Sequence, residues 1–283
     1  MAREARDLGA RLVVPGASLR EVCEAVEDEI RRRGAELAFP AQTSRNHVAA
    51  HYCPSPEDTT LYADGDLAKL DIGVHVDGWV VDTAVTVNVG ARRENQRLVA
   101  AAEAALEAAI DAAGPGVPVR DISAAIESTL RAHAVQPMRN LCGHHVGRWT
   151  VHCPPPIPNV PEESGDQLMV DAVVAIEPFA TDGRGFATEM GPPEVFRLLP
   201  GRDGGSGVDP SLFTALRARN GLPFSRRDFR QFPREVLEEG LAALRARGAV
   251  VTYSPLVETQ RRPVAQAEHT IYVGTEGVEV LTR

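Results

Sequence analysis

The feature that most constrains this chain is the segment LDIGVHVDGWVVDTAVTV at residues 70–87. Its central Asp-Gly dipeptide separates two runs rich in Val and Ile, which is typical of a two-residue turn in a β-hairpin. Side chains alternate between faces along a strand, so each strand has an apolar face and a face that carries one aspartate. With the bend at Asp-Gly, Asp71 pairs with Ala84, and Asp82 is its diagonal neighbour on the same face. Such neighbours are roughly 7–8 Å apart, within reach of a shared centre.

The composition argues against several functional classes. The 283 residues include 39 acidic and 30 basic side chains, and this net charge of −9 argues against general affinity for nucleic acid or anionic membranes. No apolar run approaches the ~20 residues that a membrane-spanning helix needs. The four cysteines form no CxxC pair, and the N-terminus does not resemble a signal peptide. We therefore expect reduced thiols and a cytoplasmic location.

Helical and extended segments alternate along the chain. Ser18 and Glu21 form the pattern of a capping box, and Asp209 precedes another helix start. The proline-rich sequence PPPIP excludes a helix and a central strand, so residues 141–160 are expected to be irregular. This order predicts an α+β fold with antiparallel sheet. The predicted helices are 18–33, 94–113, 119–134, 210–219 and 233–247, and the predicted strands besides the hairpin are 171–181, 249–258, 264–273 and 277–282.

Four carboxylates stand on strands that otherwise look buried: Asp71, Asp82, Glu177 and Glu268. A single one could cap a loop or pair with Arg. Four together would repel one another strongly unless they were protonated, paired or neutralised by metal. Two divalent ions roughly 3.5–4 Å apart offset this charge, and such pairs recur in hydrolytic enzymes. Oxygen ligands with one imidazole suit Mn, Fe, Co or Zn.

Candidate imidazole ligands are His51, either His144 or His145, and His152. The two adjacent histidines follow a glycine in the proline-rich region, where loops present functional groups. An alternative is a mononuclear zinc site, but its spacing matches no familiar structural zinc pattern. Its ligands would be Cys142, His144, His152 and Cys153.

The sequence resembles the methionine aminopeptidases, and the type II, archaeal-like form most closely. The resemblance rests on five motifs in the family's order: NHVAAHYCP, LDIGVHVDGWVVDTAVTV, CGHHVGRWTVH, AIEPFAT and VAQAEHTIYV. The spacing from His144 to His152 and the helical insertion before the last motif are similar to type II. The resemblance implies a pita-bread fold, two α/β halves related by a pseudo-twofold axis. The catalytic domain would be residues 1–194 and 257–283, with a helical insertion subdomain at 195–256.

The resemblance also implies a set of metal ligands. Asp82 and Glu268 would bridge two divalent ions, Asp71 would complete one ion, and His144 and Glu177 would complete the other. The hairpin, taken alone, already places Asp71 and Asp82 on one face. The metals could be Co, Mn, Fe or Zn.

The implied activity is removal of the N-terminal methionine from proteins and peptides, with preference for a small second residue. By this resemblance Glu177 moves the proton as general base and then acid, while His51 and His152 hydrogen-bond the scissile amide. Phe39 is expected either to line the methionine pocket or to be an ordinary residue of the hydrophobic core. Expected partners are nascent polypeptides, with transient ribosome contact, and the chain would act as a monomer without binding DNA or membrane.

Three positions depart from the family pattern. His47 stands where Glu is usual and lies near the expected substrate pocket. Cys53 stands where Thr is usual, and His145 follows the ligand position, where other residues are common.

Two rival functions remain: a proline-specific aminopeptidase or dipeptidase on the same fold, and a non-catalytic ribosome-associated scaffold. The AAHY and AQAEHT contexts favour methionine over proline, and the complete ligand set disfavours a scaffold.

Overall fold

The computed structural model describes residues 1–283 and contains six α-helices, one 3-10 helix and sixteen β-strands. The helices are α1 Ala2–Leu12, α2 Leu19–Arg32, α3 Arg93–Ala112, α4 Val119–Ala132, α5 Pro210–Ala218, the 3-10 helix Arg226–Phe229, and α6 Arg234–Ala246. The strands are β1 Glu36–Arg45, β2 Val48–Ala50, β3 Leu67–Val76, β4 Trp79–Asn88, β5 Gln136–Pro137, β6 Cys142–Gly147, β7 Thr150–Pro158, β8 Val173–Ile176, β9 Phe179–Thr181, β10 Ala187–Glu189, β11 Val195–Leu198, β12 Val250–Tyr253, β13 Leu256–Glu258, β14 Val264–Gln266, β15 His269–Val273 and β16 Val278–Val280.

The predicted hairpin is present as β3 and β4. Asp77 and Gly78 both have positive φ, 50° and 86°, which is the backbone of a type I′ turn. Strand β1 pairs with the other side of β3, which gives the sheet order β1-β3-β4. The β1–β3 register shifts on both sides of Phe39, so the middle of β1 bulges away from regular pairing. The adjacent Pro40 has no N–H to donate there.

A second, five-stranded antiparallel sheet has the order β16-β15-β8-β6-β7. The prediction that residues 141–160 are irregular is wrong, because β6 and β7 occupy most of that segment. The prolines fit because β7 is the edge strand, where one side of the backbone needs no partner. The prolines therefore exclude a helix and a central strand but not an edge strand. The predicted strand 171–181 is interrupted between β8 and β9, at Glu177-Pro178.

Each of these two sheets is covered by a pair of helices. Helices α3 and α4 pack on the five-stranded sheet through a 23-residue apolar core that includes Leu98, Ile122 and Ile271. Helices α1 and α2 pack on β1 and β3 through an 11-residue core. The sequence reasoning did not predict α1. Gly9 permits its close packing, since a Cβ at this position would lie 2.3 Å from Leu70.

Residues between β11 and β12 build a third apolar core of their own. Its 11 buried members come from β11, α5, α6, β12 and the segments between them, for example Phe196, Leu212 and Leu241. Helix α5 begins as predicted: the Asp209 side chain accepts hydrogen bonds from the backbone N–H groups of Ser211 and Leu212. This unit lies over the same pocket as the two sheets and supplies part of its wall.

Candidate active site

One pocket is lined by residues from both sheets and from the segment 195–256. Seven of the residues singled out from the sequence line it together with six others. Its lining is Phe39, Gln42, Ala50, His51, Asp71, Asp82, His144, Val151, His152, Glu177, Val195, Pro223 and Tyr253. The pocket therefore combines a carboxylate cluster, three imidazoles and an apolar wall.

The hairpin delivers two carboxylates to this pocket. Asp71 lies opposite Ala84 and Asp82 lies opposite Gly73, so both project from one face, as the sequence predicts. A reciprocal pair of bonds fixes Asp82 against the second sheet. Its backbone N–H donates to Thr270 Oγ1 at 2.8 Å, and the same hydroxyl donates to its carbonyl oxygen at 2.7 Å.

The second sheet supplies the remaining ligand candidates. His144, on β6, places Nε2 3.5 Å from Asp82 Oδ2 and 3.8 Å from Glu177 Oε1. One ligand atom each from Asp82, His144 and Glu268 lies within 4.8 Å of the others, a spacing that could hold a metal ion. The structure thus brings together all five residues in the predicted ligand set, the fifth being Asp71 on the hairpin.

Gln266 is a site residue to which the sequence reasoning assigned no role. Its Nε2 donates to Glu177 Oε2 at 3.1 Å and reaches Glu268 Oε2 at 3.5 Å. The side chain is 1% exposed. The alternation in VAQAEHT places Gln266 on the same face as Glu268, and this signal could have identified it. An amide between two carboxylates orients both of them.

Burial raises the pKa of all four carboxyl groups in the absence of a cation. The pKa of Asp82 rises to about 7 because its carboxylate is desolvated. The pKa of Asp71, Glu177 and Glu268 also rises, first through desolvation and then through repulsion from neighbouring carboxylates. The salt-bridge contacts of the four are confined to those of Asp82 and Glu177 with His144, so no Arg or Lys neutralises them.

Three buried carboxylate oxygens have no hydrogen-bond partner. They are Asp71 Oδ1, Asp82 Oδ1 and Glu268 Oε1. An unpaired buried carboxylate oxygen is unfavourable, and a hard or borderline divalent cation is the partner that such oxygens suit. The donor set, carboxylates with one imidazole, therefore fits divalent metal ions.

The structure distinguishes the two adjacent histidines. His144 Nδ1 lies 3.3 Å from its neighbour's carbonyl oxygen, so a proton on Nδ1 leaves the Nε2 lone pair facing the carboxylates. Burial lowers the pKa of His144 to about 4, which keeps the ring neutral and able to bind metal. His145 Nδ1 instead lies 2.8 Å from Pro155 O, and His145 does not line the pocket.

His51 and His152 line the same pocket. Burial lowers the pKa of His51 to about 4 and that of His152 to about 3, so both rings are neutral at pH 7. A neutral imidazole can donate one hydrogen bond and accept another. The His152 ring packs 4.3 Å from the His144 ring, and the His51 ring packs 5.9 Å from Tyr253.

Phe39 belongs both to the pocket wall and to the apolar core, and its contact with methionine stays a prediction. It lines the pocket, and it also belongs to a buried apolar cluster with Val151 and Leu222. Its ring lies over Gly73, where an added Cβ would sit 2.3 Å from the ring carbons. The glycine thus makes room for the aromatic wall beside the carboxylates.

His47 is not among the residues that line the pocket, so its expected influence on the substrate stays a prediction. The alternative mononuclear zinc set is not assembled, because no metal-compatible group of ligand atoms includes Cys142 or Cys153. These two thiols line an adjacent cavity that shares His144 and His152 with the pocket. Cys53 is buried, and its Sγ lies 3.2 Å from Arg227 Nη1.

None of the helices combines the length and the apolar character that crossing a membrane would require.

Comparison with known proteins agrees with this geometry. The family model described as "Metallopeptidase family M24" matches residues 1–208. A methionine aminopeptidase of Thermococcus kodakarensis is 40% identical over 100% of this chain and 96% of its own length. Solved structures share the fold. A methionine aminopeptidase from Thermotoga maritima aligns with a TM-score of 0.72 at 22% identity, over 100% of this chain and 92% of its own. A thermophilic Arx1 aligns with a TM-score of 0.83 at 18% identity, over 99% and 86%.

Proposed function

This chain belongs to metallopeptidase family M24, and from that premise we infer that it removes the N-terminal methionine of proteins and peptides by metal-dependent hydrolysis. It is an aminopeptidase with the pita-bread fold, as its solved relatives have. The observation that carries the inference is the composition of one pocket. Three carboxylates and three neutral imidazoles line it beside an apolar wall that can accept an unbranched side chain, and Glu268 adds a fourth carboxylate next to Asp82 and His144.

We propose that five residues hold two divalent ions: Asp71, Asp82, His144, Glu177 and Glu268. Two ions rather than one follow from charge, since four carboxylates without Arg or Lys carry more negative charge than one divalent cation offsets. Bound divalent ions supply Lewis acidity toward a carbonyl oxygen and lower the pKa of a water molecule. Co, Mn, Fe and Zn all suit this donor set.

Glu177 is proposed as the proton carrier. Its carboxyl group lines the pocket beside the other proposed ligands, where it can take a proton from water and return it to the leaving amine. The hydrogen bond from Gln266 Nε2 holds one of its oxygens in place while the other lies 3.8 Å from His144. A carboxylate that is already held in one orientation loses little conformational entropy on reaching the transition state.

His51 and His152 are proposed to bind the scissile amide. Each is neutral, and each can donate to the carbonyl oxygen or accept from the amide N–H. A donor aimed at the developing oxyanion stabilises the transition state more than the ground state. Both residues line the pocket and the adjacent cavity, so they stand between the two spaces.

The substrate is proposed to place its methionine side chain against Phe39, Val151 and Val195. Its second residue is proposed to enter the adjacent cavity between Cys142, Cys153 and the prolines of β7. The preference for a small second residue and the restriction to the chain terminus are carried over from the resemblance to methionine aminopeptidases.

Further proposals concern organisation and location. Residues 195–256 are proposed as an insertion subdomain on a catalytic domain of 1–194 and 257–283, supported by the separate apolar core between β11 and β12.

All four cysteines are free thiols, which supports a reducing compartment such as the cytoplasm. A monomer in transient contact with the ribosome stays a prediction from the resemblance.

The test is hydrolysis of two peptides by purified protein. We expect the metal-loaded protein to release methionine from Met-Ala-Ser and to leave Ala-Pro intact, and chelation to abolish the activity until Mn, Fe, Co or Zn is restored. Glu177→Gln should lower kcat by about 10²–10⁴-fold. Cleavage of Ala-Pro instead would indicate a proline-specific enzyme, and absence of hydrolysis with every metal would contradict the enzymatic function.

A further inference from the structure

Two arginines from the segment 195–256 bind the backbone of the bulged strand β1. Arg219 Nη2 donates to the carbonyl oxygen of Leu37 at 2.8 Å, and Arg227 Nη2 donates to that of Ala41 at 3.1 Å. These two carbonyls flank Phe39, where the pairing of β1 with β3 shifts register. Buried carbonyl groups need a donor. The guanidinium groups supply it from another part of the chain.

Arg227 is one half of a fully buried ion pair. Its side chain is 0% exposed and that of Glu27 is 1% exposed, with a separation of 2.5 Å. Glu27 Oε1 also accepts the backbone N–H of Ala41 at 3.0 Å, so this one peptide position is held through both its N–H and its C=O. The same guanidinium donates to Pro54 O and reaches Cys53 Sγ, which joins β1 to the segment that follows His51.

Arg219 connects two segments of the chain that line the pocket. Its Nη2 also donates to the carbonyl oxygen of Pro223 at 2.8 Å. Pro223 lines the pocket from the segment 195–256, while Phe39 and Gln42 line it from β1. One guanidinium therefore fixes the spacing between the walls that would contact the methionine side chain.

Desolvation makes a buried guanidinium unfavourable, and an apolar side chain would fill the same space without that penalty. In the structure the arginines donate to carbonyl groups of β1 and of the segment at Pro223, and neither forms a hydrogen bond or ion pair with the carboxylate cluster. We propose that Arg219 and Arg227 are positioning residues that set the width of the methionine pocket by clamping β1 at Leu37 and Ala41. This inference rests on the proposed function for the identity of the side chain that the pocket accepts.

Two variants test the clamp. Arg219→Met removes one donor, and Glu27→Gln combined with Arg227→Met removes the other without leaving a buried charge unpaired. We expect KM for Met-Ala-Ser to rise roughly tenfold with kcat within about twofold, the pattern for loss of binding shared by ground state and transition state. The preference for methionine over norleucine should shrink. Amide hydrogen exchange in residues 36–45 should accelerate in both variants, measured without metal or substrate.

Arg234→Met is the matched control. Arg234 also lies in the segment 195–256, but it forms only an exposed ion pair with Glu57 and does not contact β1 or the two clamp arginines. We expect wild-type KM and wild-type exchange in residues 36–45. Arg219→Lys keeps one donor and should restore part of the affinity. If this lysine variant folds but matches Arg219→Met in KM, the positioning role is wrong.

The exchange measurement separates this inference from the proposed function. Unchanged exchange in residues 36–45 of both clamp variants would overturn the clamp even if the wild-type protein cleaves Met-Ala-Ser. A loss of kcat at unchanged KM would also overturn it. Faster exchange in the variants of an inactive wild-type protein would support the clamp and contradict the proposed substrate.

Discussion

Asp71 and Asp82 are diagonal neighbours on the same face of a single hairpin. Asp71 lies opposite Ala84, and Asp82 lies opposite Gly73, two residues along the strand from Asp71. Neither carboxylate forms a salt bridge with Arg or Lys, and each has one buried oxygen without a hydrogen-bond partner. A hairpin that concentrates negative charge in this way opposes its own folding unless a cation is bound. Stability and function therefore conflict at this point.

Replacing Asp82 with Asn should separate these two effects. We expect loss of metal binding and of activity, together with a metal-free protein whose free energy of unfolding at pH 8 rises on the order of 2–4 kcal/mol, because a raised pKa reports an unfavourable buried charge. Metal analysis and thermal denaturation of chelated protein measure both. Asp77→Asn, at the exposed turn of the same hairpin, is the control and should change neither. A metal-free Asp82→Asn protein less stable than wild type would contradict the repulsion.

The stabilisation by metal should depend on pH. The folded-state pKa of Asp82 is raised from 3.8 to about 7, so the folded, metal-free protein binds more protons than the unfolded chain across that window. This contribution to stability is complete below about pH 3.8 and is lost as pH rises through about 7. Metal binding replaces the proton, so the increase in Tm on adding metal should be larger at pH 8 than at pH 5.5. An equal increase at both values would show that the carboxylates are already ionised at pH 5.5.

Gln266→Leu should weaken the site without removing a ligand. Its amide holds Glu177 and Glu268, and loss of such an orienting group typically costs about 10–100-fold in metal affinity or activity. Titration with Mn or Co, followed by activity at saturating metal, separates affinity from rate. Gln136→Leu, at an exposed position of β5, should bind metal as the wild type does. If Gln266→Leu bound metal as tightly as the wild type, the amide would contribute to packing and not to the orientation of the ligands.

The turn of the hairpin should be sensitive to a single methyl group. Gly78 and Gly16 have nearly the same φ, 86° and 85°, but a Cβ at Gly78 would lie 2.3 Å from the Trp149 ring while Gly16 has open space. Gly16→Ala should therefore lower the free energy of unfolding by only about 1 kcal/mol, through left-handed backbone strain. Gly78→Ala should lower it by roughly 1–3 kcal/mol more, because the added methyl group overpacks against the Trp149 ring. Urea denaturation measures both. Equal losses in the free energy of unfolding would mean that the Trp149 ring moves aside at no cost.

Local sequence patterns predicted the elements that depend on neighbouring residues. The Asp-Gly turn fixed the register of β3 and β4, and the capping residue Asp209 fixed the start of α5. Ser18 caps α2 through the N–H of Glu21, which is one half of the predicted box. These features follow from bond geometry over a few residues, so the chain needs no tertiary contact to specify them.

Patterns failed where a distant partner decides the outcome. Residues 141–160 read as irregular because of their prolines, yet β7 forms at a sheet edge, where a missing N–H does not matter. Gln266 had the same alternation as Glu268 but received no role, since alternation identifies a face and not the groups that meet there.

The sequence by itself determined that Asp71 and Asp82 share a face, because a period of two residues and one tight turn are local properties. Only the tertiary structure decided that Glu177 and Glu268, more than 90 residues apart in the chain, meet them. Hydrogen bonds between Thr270 and Asp82 set the alignment of the two sheets, and Arg219 and Arg227 hold the bulged strand. Such contacts depend on which surfaces pack together, and that choice is made by the burial of the whole apolar core.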